Sequence, residues 1–101
     1  MDLNVRTELA MATISLPTPL RPLAGGHKEI QVNGDTVAQL LRHLMDEYPD
    51  LRRHIFTDEG SLRSFVNIYV NDEDIRYLNK EGTSVQNRDL VSIIPSIAGG
   101  V

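Results

Sequence analysis

Apolar and polar residues alternate in two short segments near the start of the chain. Residues 12–16 have the sequence Ala-Thr-Ile-Ser-Leu, and residues 28–32 have the sequence Lys-Glu-Ile-Gln-Val. A period of two is typical of a strand with one buried face. Between the segments lie three prolines and the pair Gly25-Gly26, which stop the first strand and turn the chain. The pattern predicts a β-hairpin with a long connection.

A helical period follows the hairpin. Thr36 and Gln39 have the spacing of a capping box, in which two side chains satisfy free N–H groups at the start of a helix. Pro49 is expected to end this helix, because the residue before a proline avoids the helical conformation. Between these limits, apolar residues recur at the spacing that forms one stripe on a helix: Val37, Leu40, Leu41, Leu44 and Tyr48.

The second half of the chain predicts three more strands. Residues 65–70 are strongly β-prone, residues 75–77 fit a short strand, and residues 90–94 form a last apolar run before Pro95. The resulting order is ββαβββ. We therefore expect an α+β fold, in which one main helix packs across a mixed sheet of four to five strands. The first and last strands are expected to be parallel central neighbours, although other α+β topologies share this order.

Strand alternation also predicts which side chains face outward. If Val66, Ile68 and Val70 face the helix, then Phe65 and Tyr69 lie on the open face of the sheet. Leu90, Ser92 and Ile94 are expected to join them there, and such an exposed apolar patch usually marks a protein interface. The alternative is that these side chains pair across strands for stability alone.

Composition limits the chain to one ordinary domain. It has 101 residues and a net charge of −4, which disfavours nucleic-acid binding. It contains no cysteine, so disulfides and thiol chemistry are excluded. No apolar segment is long enough to span a bilayer, and the N-terminus lacks the pattern of a signal peptide, so a cytoplasmic location is expected. We interpret residues 1–11 as an extension, 12–95 as the domain and 96–101 as a tail.

The sequence gives only weak signals for a catalytic site or a metal site. His27, His43 and His54 do not have the spacing of a metal site. The acidic residues 72–74 lack the glycine and ligand spacing of a calcium loop, so an acidic turn is the better interpretation. No nucleophile and base can be paired, and the chain is not expected to be an enzyme by itself or to bind a cofactor.

Three segments resemble one known family. They are residues 34–37 (Gly-Asp-Thr-Val), residues 65–74, and residues 89–100, which end in Ala-Gly-Gly. Together they resemble the ubiquitin-like sulfur carriers, which include the small subunit of molybdopterin synthase and the thiamine-pathway carrier. The Leu-Arg-Pro-Leu sequence at residues 20–23 resembles the branch that supplies sulfur for cysteine synthesis. The resemblance covers residues 12–100 and implies a β-grasp fold.

The resemblance also implies a chemistry for the tail. In this family an activating enzyme uses ATP to adenylate the terminal glycine, and sulfur then replaces AMP to give a thiocarboxylate. Gly100 is expected to carry the sulfur and Gly99 to provide clearance. Val101 departs from the family ending, so we expect a trimming peptidase to remove it. The other expected partners are the activating enzyme and a sulfur-accepting synthase, most plausibly a cysteine synthase.

Candidate contacts with these partners come from the body and from the tail. The patch residues Phe65, Tyr69, Leu90 and Ile94 are expected to dock, and Ile97 in the tail is a candidate anchor. Arg76, together with Arg63 and Arg88, is a candidate to meet acidic groups of the partner, although solvated surface arginines are commoner.

Three alternatives stay open on the sequence. The carrier could serve molybdopterin or thiamine synthesis instead of cysteine synthesis. The chain could be a ubiquitin-like modifier whose glycine is joined to lysines of target proteins. It could also be an inert β-grasp interaction domain.

Overall fold

The computed structural model describes residues 10–95. Its strands are β1 (Met11–Ser15), β2 (Glu29–Asn33), β3 (Val66–Val70), β4 (Glu73–Asp74) and β5 (Leu90–Pro95). Its α-helices are α1 (Val37–Glu47) and α2 (Arg52–Ile55). Short 3-10 helices span Thr18–Ala24, Pro49–Leu51, Ile75–Tyr77 and Lys80–Gly82.

The five strands form one mixed sheet in the order β2-β1-β5-β3-β4. β1 and β5 are parallel, with Ile14 opposite Val91, and the other neighbouring pairs are antiparallel. The predicted parallel pairing of the first and last strands is therefore confirmed. β5 is the central strand of the sheet, and its last residues, 93–95, pair only with β3.

The start of α1 has the predicted cap. The Gln39 N–H donates to Thr36 Oγ1 at 3.2 Å, and Gln39 Oε1 accepts from the Asp35 N–H at 2.8 Å. The return bond thus reaches one residue further back than in a standard capping box. The helix ends at Glu47, before Pro49, as the sequence predicts.

One face of α1 packs on one face of the sheet. Val37, Leu40 and Leu44 are completely buried, as are Ile14 and Val91 in the two central parallel strands. Ile68 in β3 is 1% exposed. Full burial of each such side chain contributes about 1.5–3 kcal/mol, so this helix–sheet contact forms the main core.

Gly34 allows the tight connection between β2 and α1. A Cβ atom at this position would lie 3.0 Å from Leu40 Cδ2 and 3.1 Å from the backbone N of Leu40. The Gly34 N–H donates to the Ala10 carbonyl at 2.9 Å. Because one of these two atoms belongs to the backbone, a residue with a Cβ would require the start of α1 to shift by a few tenths of an ångström.

Two connections differ from the prediction. Residues Ile75–Tyr77 form a 3-10 turn rather than a strand, because Asp74 Oδ1 accepts from the Arg76 N–H at 2.9 Å and curls the chain. β4 lies earlier, within the segment expected to be only an acidic turn. The first connection is also structured: Thr18–Ala24 is a 3-10 helix, and Arg21 Nε donates to the Leu16 carbonyl at 3.0 Å.

Candidate functional site

The candidate site is the end of β5 and the surfaces around it. Pro95 is the last described residue, so the predicted sulfur-bearing Gly100, its neighbour Gly99, the processing residue Val101 and the anchor Ile97 lie outside the described residues. The structure describes β5, the strand that directly precedes the tail. Pro95 lies opposite Val66 of β3, and residues earlier in β5 also pair with β1.

The opposite end of β5 is fixed by a small hydrogen-bond network. Asn71 Nδ2 donates to Asp89 Oδ1 at 2.9 Å, and Asn71 Oδ1 accepts from the Leu90 N–H at 2.9 Å. Asp89 Oδ2 in turn accepts from the Gln86 N–H at 2.8 Å. These bonds join the β3–β4 turn to the first residue of β5, so they help to set the register of the strand that leads to the tail.

The open face of the sheet carries three of the predicted docking residues. Leu90 is 37% exposed and Ile94 is 46% exposed, whereas Val91 and Ile93 between them are buried. Tyr69 lies on the same face, because it is opposite Ser92 in the β3–β5 register and is only partly buried. Their role in binding a partner stays a prediction, but the structure does bring these side chains to one face.

Phe65 lies elsewhere. β3 begins at Val66, so Phe65 belongs to the preceding turn and strand alternation does not fix its direction. Its side chain is 42% exposed and lines a groove together with Leu20, His54 and Ile93. Ile93 is a core-facing residue, so Phe65 borders the helix side of the sheet rather than sharing the open face with Tyr69.

Arg76 is exposed and paired within the chain. Its Nη2 lies 2.7 Å from Asp74 Oδ2, and its Nε lies 3.2 Å from both carboxylate oxygens. The hydrogen bonds from Arg76 hold the pKa of Asp74 below its ordinary value, and the same pair raises the pKa of Arg76. Because Asp74 is opposite Tyr69 in the sheet, this ion pair forms the edge of the open face.

The described segment offers neither a metal site nor a membrane span. Nowhere between residues 10 and 95 do three His, Cys, Asp or Glu side chains come close enough to hold a metal ion. No helix in that segment has the length and apolar character to cross a membrane.

The fold and the site define a class. A mixed sheet of this order with one main helix across it is the ubiquitin-like β-grasp, and here its central strand runs out into the C-terminal segment. The model of the ThiS family matches residues 14–100. The chain belongs to the ThiS family.

Individual relatives match most of the chain. The sulfur carrier protein CysO of Mycobacterium tuberculosis is 40% identical over 90 residues, which are 87% of this chain and 97% of that protein. The chain is 34% identical to a chain in the crystal structure of the Amycolatopsis orientalis BexX/CysO complex, with a TM-score of 0.80 over 88% of this chain and 99% of that one. Small archaeal modifier protein 3 of Haloferax volcanii is 35% identical over 78 residues, covering 74% of this chain and 84% of that protein.

Sequence reasoning missed the groove beside Pro95. Of its residues, Phe65 was assigned to the open face, His54 was considered only as a metal ligand and Leu20 only as part of a motif. These residues come from three separate parts of the chain, and their proximity depends on how the first connection and α2 pack at the end of the sheet. The one sequence signal for this groove was Arg63, which was a candidate to contact acidic groups of a partner.

Proposed function

We propose that this protein is a sulfur carrier whose C-terminal Gly100 is converted to a thiocarboxylate. The observation that carries this proposal is the extent of the family match, which runs from the first strand to residue 100 and therefore includes Gly99 and Gly100. The similarity to sulfur carriers from Mycobacterium tuberculosis and, at 36% identity, to a putative one from Archaeoglobus fulgidus supports it.

The chemistry requires a free carboxylate on Gly100. In the first step a carboxylate oxygen attacks the α-phosphate of ATP on the activating enzyme, and pyrophosphate leaves. In the second step hydrosulfide attacks the acyl carbon, AMP leaves, and a thiocarboxylate remains. A peptide bond to Val101 would block the first step, so removal of this residue by a peptidase precedes activation.

Glycine suits both terminal positions for a steric reason. A narrow channel must bring the carboxylate of Gly100 to the nucleotide, and a residue without a Cβ permits close approach by the backbone. The absence of side chains at Gly99 and Gly100 also leaves the acyl carbon accessible to the sulfur nucleophile and then to the acceptor. The protein acts as a co-substrate in this scheme, and ATP is bound by its partner.

Cysteine synthesis is the pathway that we propose for the sulfur. The support is the similarity to CysO proteins, one of which is known in a complex with BexX. The expected partners are thus an activating enzyme and a sulfur-accepting cysteine synthase. Since the thiocarboxylate is the same in all branches, carriage of sulfur to molybdopterin or thiamine would use the same residues.

A second candidate function is protein modification. The similarity to small archaeal modifier protein 3 favours it specifically. The activated Gly100 would then be attacked by a lysine amine of a target protein, with an amide bond as the product. Both functions share the adenylation step and separate only at the nucleophile.

Intact-mass measurement tests the proposal. The chain ending at Gly100 is incubated with the activating enzyme of its own organism, ATP and a sulfur donor, beside the chain that retains Val101. We expect the first to gain the mass difference between sulfur and oxygen and the second to stay unchanged. Conjugates of higher mass would favour modification, and an unchanged mass in the trimmed chain would exclude both functions.

A further inference from the structure

A groove of about 350 Å³ opens directly beside the start of the tail. Its apolar lining includes Leu20 in the first connection, Phe65, Ile93 and Pro95. The groove is therefore on the helix side of β5, across the sheet from the patch formed by Tyr69, Leu90 and Ile94. It is a second surface, separate from the open face.

Among residues 10–95, the ionisable residues that line this groove are all basic. They are Arg53 and His54 of α2 and Arg63, and no carboxylate of that segment lines the groove. This local charge contrasts with the net charge of −4 on the whole chain. The contrast points to a ligand that combines an apolar group with a negative charge.

Arg63 is held in place by the backbone of α2. Its Nε donates to the Arg53 carbonyl at 2.7 Å, and its N–H donates to the Ile55 carbonyl at 2.9 Å. The bond at Nε restricts the rotation of the Arg63 side chain and leaves its two Nη groups available to bind a ligand. Positioning of this kind reduces the entropy lost when a charged group binds.

The position of the groove limits what can cover it. Gly100 is five residues beyond Pro95, and five extended residues span about 17 Å. An enzyme that holds the Gly100 carboxylate in its active site must therefore place the entrance of its tail channel close to Pro95. Since Pro95 lines the groove, the groove then faces the enzyme surface around that channel entrance.

We propose that this groove docks an acidic segment with an adjacent apolar side chain, located at the entrance of the activating enzyme's tail channel. This inference rests on the proposed function and adds a partner surface to it. The apolar side chain contacts Leu20 and Phe65, and the carboxylates meet Arg53 and Arg63. Complementary charges of this kind raise the association rate and select the partner, and salt weakens their effect.

Adenylation kinetics test the groove. Pyrophosphate release is measured with the chain ending at Gly100 and with its Arg53→Glu variant, at low and at high salt. Arg53 is exposed and interacts through its backbone carbonyl, so the substitution preserves the bond from Arg63. We expect the KM for the carrier to rise about tenfold at low salt, with kcat unchanged and a smaller effect at high salt.

Two further variants separate charge from general damage. Arg42→Glu makes the same charge change on an exposed position of α1 that does not line the groove, and it should alter KM by less than about threefold. Phe65→Ser removes apolar contact and should raise KM at both salt concentrations. Thermal unfolding checks that each variant is folded, and if Arg53→Glu is not folded, Arg63→Gln takes its place as the groove variant.

The outcomes distinguish this inference from the function on which it rests. If the chain that ends at Gly100 and carries no other substitution is not adenylated, the proposed function fails and the docking proposal fails with it. If it is adenylated and Arg53→Glu behaves like Arg42→Glu, the docking proposal alone is refuted. If the chain forms concentration-dependent dimers that Arg53→Glu blocks, the groove instead binds a second copy of the chain. If deletion of residues 96–100 changes the NMR chemical shifts of the groove residues, the groove instead binds the chain's own tail.

Discussion

Replacing Asn71 should weaken the attachment of β5 to the rest of the sheet. The Asn71 side chain makes two hydrogen bonds of 2.9 Å, to Asp89 Oδ1 and from the Leu90 N–H. Its backbone has a φ of 49°, in the left-handed region that asparagine tolerates better than most residues. The residue therefore combines a turn conformation with a link to the strand that leads to the tail.

The size of the effect follows from these two contributions. Each hydrogen bond contributes about 0.5–1.5 kcal/mol, so Asn71→Gly should lower the free energy of unfolding by about 1–3 kcal/mol. Asn71→Ala loses the same bonds and, unlike the glycine variant, keeps a Cβ in the left-handed region, so it should be less stable than Asn71→Gly by about 1–2 kcal/mol. Urea denaturation followed by far-ultraviolet circular dichroism measures both losses.

The neighbouring residue provides a matched control. Asp72 also has a positive φ, 76°, in the same turn, and its side chain has no hydrogen bond among the described residues. Asp72→Gly should therefore not be destabilising, and Asp72→Ala should lose only the better tolerance of the left-handed conformation that aspartate has over alanine. If Asn71→Gly is as stable as Asp72→Gly, the two side-chain bonds do not hold β5 and this reasoning is refuted.

Three further predictions concern the cap, the ion pair and the open face. Thr36→Ala removes the bond to the Gln39 N–H and should cost about 1 kcal/mol of stability in urea titrations, whereas Thr36→Ser should cost much less. Because the folded pKa of Asp74 is lowered by Arg76, the pair stabilises the fold above the unfolded pKa of this carboxyl. That stability is lost as pH falls through the folded pKa, so Asp74→Asn should flatten the acid limb of the stability–pH curve. Tyr69→Asp should weaken binding to the activating enzyme in calorimetry while thermal unfolding stays cooperative, and an unfolded variant would place Tyr69 in the core instead.

Local sequence signals were sufficient for most of the elements. The Thr36–Gln39 cap and Pro49 bounded α1, and the alternation in residues 12–16 and 28–32 identified β1 and β2 to within one residue. The strand expected at residues 75–77 was wrong, because the Asp74 side chain stabilises a tight turn that β propensity does not register. Phe65 was misplaced for a related reason: alternation holds only inside a strand, and β3 begins one residue later.

The sequence by itself determined α1 and four of the five strands, the buried faces of α1 and β5, the family resemblance and the chemistry expected of Gly99-Gly100. These features depend on residues that are close together in the chain, whose period and caps act locally. Only the tertiary structure decided that the tail starts beside a basic, partly apolar groove. That groove joins Leu20, Arg53, Arg63 and Pro95, whose proximity depends on how separate elements pack at the end of the sheet. No local pattern encodes such a contact, because it is set by packing between segments that are distant in sequence.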